Sequence, residues 1–117
     1  MPLCPVQKKN WKNSHLKSRT LAIPVDMAKA FEVKRMITEV SDHFGKIDIL
    51  VNKAGAGYYA SVEKIDVDTF HYVFDLNLVG PVIAMQQVIP HMKKQSGGTI
   101  VNVSSAVALM TLPNNAP

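Results

Sequence analysis

At 117 residues, with 47% apolar and 19% charged side chains, the chain has the size and composition of one small globular domain and not of a disordered segment. No uninterrupted apolar run approaches the ~20 residues needed to span a bilayer, and the first residues lack the apolar core of a secretory signal. Cys4 is the only cysteine and cannot close an internal disulfide, so the cytoplasm is the expected compartment.

The net charge of +4 is uneven. Residues 1–19 carry Lys8, Lys9, Lys12, Lys17 and Arg19 with no acid, whereas residues 20–117 carry eight bases and nine acids. A basic arm of this kind can meet phosphates of a nucleic acid or an anionic surface. Only Trp11 offers a stacking surface there, and no nucleic-acid motif accompanies it. A poorly ordered or loosely helical chain start is the plainer expectation, and neither a nucleic acid nor a membrane is expected as a partner.

The first strand signal is Leu21-Ala22-Ile23-Pro24-Val25, ending at Asp26 and weakened by Pro24. From Ala28 to Phe44, the residues Phe31, Val33, Met36, Ile37, Val40 and Phe44 recur near helical spacing, and Gly45 supplies a left-handed stop. Ile47–Val51 is the second strand, its continuous apolar character suiting burial on both faces. It runs into Asn52-Lys53-Ala54-Gly55. A helix starts near Asp66 or Asp68, both possible caps, and turns Val67, Phe70, Val73 and Phe74 inward. Its pattern breaks around Leu76–Gly80. Pro81 then suits the first turn of a further helix carrying Val82, Met85, Val88, Ile89 and Met92 on one face, with Lys93 and Lys94 at its negative end. Gly97-Gly98 leads into the third strand, Thr99–Val103, which ends in Ser104-Ser105. The last twelve residues read as loop. Alternating strands and helices point to a parallel sheet covered by helices.

One short motif competes for attention. Gly55-Ala56-Gly57-Tyr58-Tyr59-Ala60 matches the dinucleotide fingerprint G-x-G-x-x-G/A, with Asp75 twenty residues on. That fingerprint works only where a helix begins at the glycines and turns its amides toward a pyrophosphate. Tyr58–Ile65 has weak helical character and Asp75 lies inside a helical pattern, so the match is set aside.

The ordered series of Asp26, Asn52-Lys53-Ala54-Gly55, Asn77 in Asn77-Leu78-Val79-Gly80, and Ser104-Ser105 resembles the short-chain dehydrogenase/reductase family from about Leu21 to Pro117. The resemblance implies a Rossmann-like, doubly wound parallel α/β sheet. Here it is expected in truncated form, lacking the first two strands and the C-terminal part, with residues 1–19 as a basic arm and 20–117 as a partial dinucleotide-binding domain. It implies NAD or NADP as cofactor, a small alcohol or carbonyl substrate, a homo-oligomer through the 82–92 helix, and no metal.

Residue by residue, the resemblance implies that Asp26 receives the adenine amino group, a role compatible with capping the next helix. Asn52, Ala54 and Gly55 resemble the family's Asn-Asn-Ala-Gly segment, which lines the adenine ribose and supports the sheet. Asn77 resembles the active-site asparagine that holds a water in a proton relay, although such a residue alone is more often a kink or cap. Ser105 resembles the substrate-orienting serine, Ser104 being the alternative. The family's catalytic tyrosine, with a lysine four residues later, is expected just beyond Pro117, and its glycine-rich phosphate turn upstream of this sequence. The residues that choose between NAD and NADP are expected there too.

Two substitutions depart from the family: Lys53 for the second Asn, and Ala108 where Gly often follows the serines. With strands 1 and 2 missing from between strands 3 and 4, either Leu21–Val25 pairs with Ile47–Val51 or both leave open edges. The expected function is therefore an NAD(P)-dependent oxidoreductase without turnover as this isolated chain. A non-catalytic module that dimerises with full-length relatives is one alternative, and polyanion binding through the basic arm is the other.

Overall fold

The computed structural model describes residues 20–106. The basic arm, Cys4, Trp11, Ala108 and the C-terminal loop lie outside them.

Helix α1 spans Ala30–Phe44 and buries Val33 and Ile37, one turn apart. It starts two residues later than the apolar period suggests. Asp26 folds back first, its Oδ1 accepting from the Ala28 N–H at 3.0 Å, and the Lys29 N–H donates to the Asp26 carbonyl at 3.0 Å. That turn uses Met27 and Ala28 before the helix can begin. Glu32, in the first turn, reaches back to accept the Asp26 N–H at 2.8 Å. At the other end Gly45 takes the left-handed conformation, φ 77°, and its N–H donates to the Ser41 carbonyl at 2.8 Å.

Strands β1 (Ile49–Asn52) and β2 (Thr99–Asn102) form a two-stranded parallel sheet in the register Ile49↔Thr99 to Asn52↔Asn102. Between them run a short 3₁₀ turn at Val62–Lys64, α2 (Val67–Phe74), a π-helical segment (Asp75–Val79) and α3 (Gly80–Lys94). Asp66 caps α2, its Oδ2 accepting the Thr69 N–H at 2.8 Å. The break expected before Pro81 is the π segment, whose wider turn lets the helix continue into α3 instead of stopping. Val67–Lys94 is thus one continuous 28-residue helix, long and apolar enough to cross a bilayer by length and composition alone. Its α3 half, however, spends an Ala84–Val88–Met92 stripe on the core.

That core is Ile37, Ile47, Val88 and Met92, with Met36, Val40, Leu50 and Ile100 packed around it. It lies between α1, α3 and one face of the sheet.

Several expectations need correction. Leu21–Val25 pairs with no strand among the described residues. Its burial alternates as a strand's would, but Pro24 has no N–H to donate, and the Pro24 carbonyl is taken by Arg35 Nη2 at 3.1 Å. Re-pairing with β1 does not occur, and among the described residues the sheet keeps both edges open. Nor is β1 buried on both faces. Ile49, Val51, Val101 and Val103 share the side away from α1 and α3, and each is between 43% and 62% exposed. In α2 only Val73 is buried, while Val67 and Phe74 face solvent. In α3 the inner stripe runs through Ala84, Val88 and Met92, whereas Val82 and Ile89 lie outside it, each a little over a third exposed. Apolar residues surround more than half of this helix, so the small residue that permits close packing decides which side turns inward.

Candidate functional site

The carboxyl ends of β1 and β2 lie side by side because the strands are parallel and in register. Each ends in Val-Asn. Asn52 is 8% exposed, and its Nδ2 donates to Asn102 Oδ1 at 2.8 Å. The Asn102 amide in turn reaches the Met85 sulfur on α3 at 3.7 Å. The Val103 N–H donates to the Asn52 carbonyl at 2.9 Å, carrying the pairing one residue past the ladder. Lys53, Ala54 and Gly55 then emerge exposed beside Ser104 and Ser105, which are also exposed.

Asn77 joins this rim from the π segment. Its Oδ1 accepts the Ala56 N–H at 2.9 Å, and its Nδ2 donates to the Ala56 carbonyl at 2.8 Å. The π turn brings the residue out of the helical surface and against the loop. Gly55 permits this contact, since a Cβ there would stand 3.1 Å from Asn77 Oδ1. The loop stays non-helical through Ala60, which removes the helix that a G-x-G-x-x-A phosphate site at Gly55–Ala60 would need. Tyr58 instead accepts the Asp66 N–H on its hydroxyl at 2.8 Å, fixing the start of α2.

Asp26 approaches the same helix from the other side. Its Oδ1 accepts from Ala28 N and, at 3.4 Å, from the Tyr72 hydroxyl on α2. Its Oδ2 lies 3.7 Å from Lys29 Nζ. Burial, the neighbouring Asp26 charge and the hydrogen bond to it all hold the Tyr72 phenol above its ordinary pKa. The Met27 carbonyl sits directly over Gly80, where any side chain would collide with it. The helix from Tyr72 to Gly80 therefore touches both the Asp26 turn and, through Asn77, the loop after β1.

Of the residues singled out by sequence, Gly55 and Asn77 stand against each other, Ala54 lies in the same loop, and Asn52, where that loop leaves β1, is tied instead to Asn102 on β2. Register places Ser104-Ser105 at the neighbouring strand end. Asp26 is tied to the same helix. Asn102, Tyr72 and the Ala56 backbone were not singled out. The repeated Val51-Asn52 and Val101-Asn102 endings were the available signal for Asn102; nothing in the sequence pointed to Tyr72.

This is a rim of amides and hydroxyls outside the carboxyl ends of parallel strands, the position where open α/β sheets bind ligands, and the Asp26 carboxylate is tied to the helix that also carries Asn77. A family model described as short chain dehydrogenase matches residues 5–117. The chain belongs to that family.

Within the short-chain dehydrogenases, it is 39% identical over 89 residues to an uncharacterized oxidoreductase of Bacillus subtilis, covering 76% of this chain and 35% of the relative. It is 38% identical over 97 residues to a 3-oxoacyl-(acyl-carrier-protein) reductase of Staphylococcus epidermidis, covering 83% and 40% respectively. The ligand-free aldohexose dehydrogenase of Thermoplasma acidophilum superimposes with a TM-score of 0.74 at 31% identity, over 80% of this chain and 36% of that one. The Rossmann-like α/β architecture is thus that of the family, and the chain spans well under half the length of these relatives.

Proposed function

We propose that these residues form the cofactor floor and the substrate-orienting corner of an NAD(P)-dependent oxidoreductase that interconverts alcohols and carbonyls. The observation that carries this reading is the Asn77 clasp on Ala56, which ties the helix break to the Asn52–Gly55 loop. Two relatives support the reaction class by their names, one a reductase of a 3-oxoacyl group and one a dehydrogenase of an aldohexose.

The residues present suit the adenosine half of a nicotinamide dinucleotide. Ala54 and Gly55 are exposed with little or no side chain, so backbone can approach a ligand closely. The Asp26 side chain is 26% exposed and has acceptor capacity beyond its present partners. In this reading Asp26 accepts from the adenine amino group, and Asn52, Ala54 and Gly55 form the floor under the ribose. Asn77 holds a water near the reacting end. Ser105, or Ser104 in its place, hydrogen-bonds the substrate oxygen and stabilises the charge that develops on it. The bound cofactor supplies or accepts the hydride. Neither NAD nor NADP is favoured by these residues.

No Tyr-x-x-x-Lys occurs in the 117 residues. Without that proton donor, the purified chain given NADH or NADPH and a panel of carbonyl compounds should show no turnover. Steady oxidation of either cofactor would overturn this. The cytoplasm remains the proposed compartment.

A second reading rests on the outer side of the long helix, where Phe74, Leu78, Val82 and Ile89 are exposed. Here the chain uses that side to dimerise, with itself or with a full-length relative. Mixed dimers in native mass spectrometry after co-expression are the expected result, and their absence counts against it. Polyanion binding would reside in residues 1–19; if so, their deletion should abolish salt-sensitive binding, and unchanged affinity would exclude it.

A further inference from the structure

We infer that Tyr72 is a positioning residue for adenine recognition, holding the Asp26 carboxylate in the orientation that accepts the base's exocyclic amino group. The inference rests on the proposed cofactor role of Asp26 and goes beyond it. Asp26 follows Leu21–Val25, a segment that pairs with no strand among the described residues. Its position comes instead from side-chain and turn contacts. Ala28 N and the Tyr72 hydroxyl both donate to Oδ1, at 3.0 and 3.4 Å. Lys29 stands 3.7 Å from Oδ2, and Glu32 accepts the Asp26 N–H.

Of these partners, Ala28, Lys29 and Glu32 belong to the same turn and the start of α1, and move with Asp26. Only Tyr72 is remote in sequence, 46 residues away on α2. It therefore registers the carboxylate against the long helix that also carries Asn77. Met27 resting over Gly80 gives the turn a second foothold eight residues further along that helix. With Oδ1 occupied by two donors, the less engaged Oδ2 is the atom left to meet an incoming amino group, its neighbour being the exposed Lys29, which also pairs with Glu32. The raised titration of the Tyr72 phenol agrees with a proton kept on the hydroxyl for this bond.

The test compares binding of NAD⁺ with that of its deamino analogue, in which hypoxanthine replaces adenine and a carbonyl replaces the amino donor. Affinities for the full 117-residue chain are read from NMR shifts, with the Ala28 amide as reporter. The wild type should prefer NAD⁺ several-fold. Asp26→Asn should abolish that preference, and Tyr72→Phe should reduce it while leaving affinity for the deamino analogue unchanged. A purely structural role of Tyr72 would weaken both ligands together, and that result overturns the inference. So does a full preference in Tyr72→Phe alongside its loss in Asp26→Asn, which leaves the cofactor reading standing. If the wild type binds neither NAD⁺ nor NADP⁺, the cofactor reading falls and the inference with it. Should Tyr72→Phe not fold, Tyr72→His supplies the same comparison, retaining a donor that can preserve part of the preference; equal weakening of both ligands there is again the refuting result.

Discussion

Asn77 grips both backbone polar groups of Ala56, accepting its N–H at 2.9 Å and donating to its carbonyl at 2.8 Å. A single amide side chain thus does for the loop what a paired strand would do, from a residue at the centre of the π segment. Asparagine is required since the grip needs one acceptor and one donor on the same planar group.

Asn77→Ala should loosen the loop and cost about 1–3 kcal/mol, two hydrogen bonds at ~0.5–1.5 kcal/mol each. Asn77→Asp keeps the acceptor but loses the donor and should not restore wild-type stability. Chemical denaturation gives the energies, and hydrogen exchange at the Ala56 amide gives the local effect. An Ala56 amide as protected in Asn77→Ala as in the wild type would remove the clasp from the account.

Gly80 and Gly98 offer a paired comparison. A Cβ at Gly80 would collide with the Met27 carbonyl, whereas one at Gly98 would collide with the Met92 side chain. Backbone yields less readily than a flexible thioether chain. Gly80→Ala should therefore cost about 1–3 kcal/mol, the range for overpacking, and should shift amide resonances around Asp26. Gly98→Ala should cost less, with changes centred on Met92 and its core neighbours Ile37, Ile47 and Val88. Equal costs would show that the Met27 turn is not held against the helix.

Much of this arrangement was legible in residue spacing, and the exceptions have physical causes. Gly45, Asp66 and the break before Pro81 are local signals, and each does locally what its chemistry dictates. Leu21–Val25 has strand character, but a strand needs a partner, and pairing is not a property of the segment itself. Val88 and Met92 face the core as their spacing indicates, but the stripe runs on through Ala84 and not through Val82, because Ala84 carries little hydrophobic weight in the sequence pattern. Asp26 and Asn77 were singled out only through their place in a family pattern. Tyr72 was not, because its contact with Asp26 joins residues 46 apart and belongs to no pattern.

Substitutions on the two sides of the sheet should differ sharply in cost. Ile49, Val51, Val101 and Val103 are exposed together, whereas Ile37 packs beneath the other face at 5% exposure. Val51→Thr with Val101→Thr keeps the β-branch and should change stability by less than ~1 kcal/mol, while reducing dye binding and self-association. Ile37→Ala should cost about 2–5 kcal/mol. Light scattering and denaturant midpoints separate the outcomes. A large loss of stability in the double threonine variant would mean that this face is covered.

Two titrating groups should shape the pH dependence of stability at opposite ends. The Asp66 carboxyl is held below its ordinary pKa by the Thr69 side-chain and backbone donors, in that order. Its stabilising contribution is then full above the unfolded-state value of 3.8 and lost as pH falls through the lower folded-state value. Asp66→Asn keeps the cap without the titration, so its denaturant midpoint should lose this part of the acid limb. Tyr72 works in the other direction. Its phenol is raised above 10.0 by burial first and then by Asp26, so the contribution is full below the unfolded value and lost as pH rises through the folded one. Tyr72→Phe should flatten the alkaline limb, and Asp26→Asn should flatten part of it by removing the charge that opposes ionisation. Identical alkaline limbs in wild type and Tyr72→Phe would show that the hydroxyl is not engaged with Asp26 in solution.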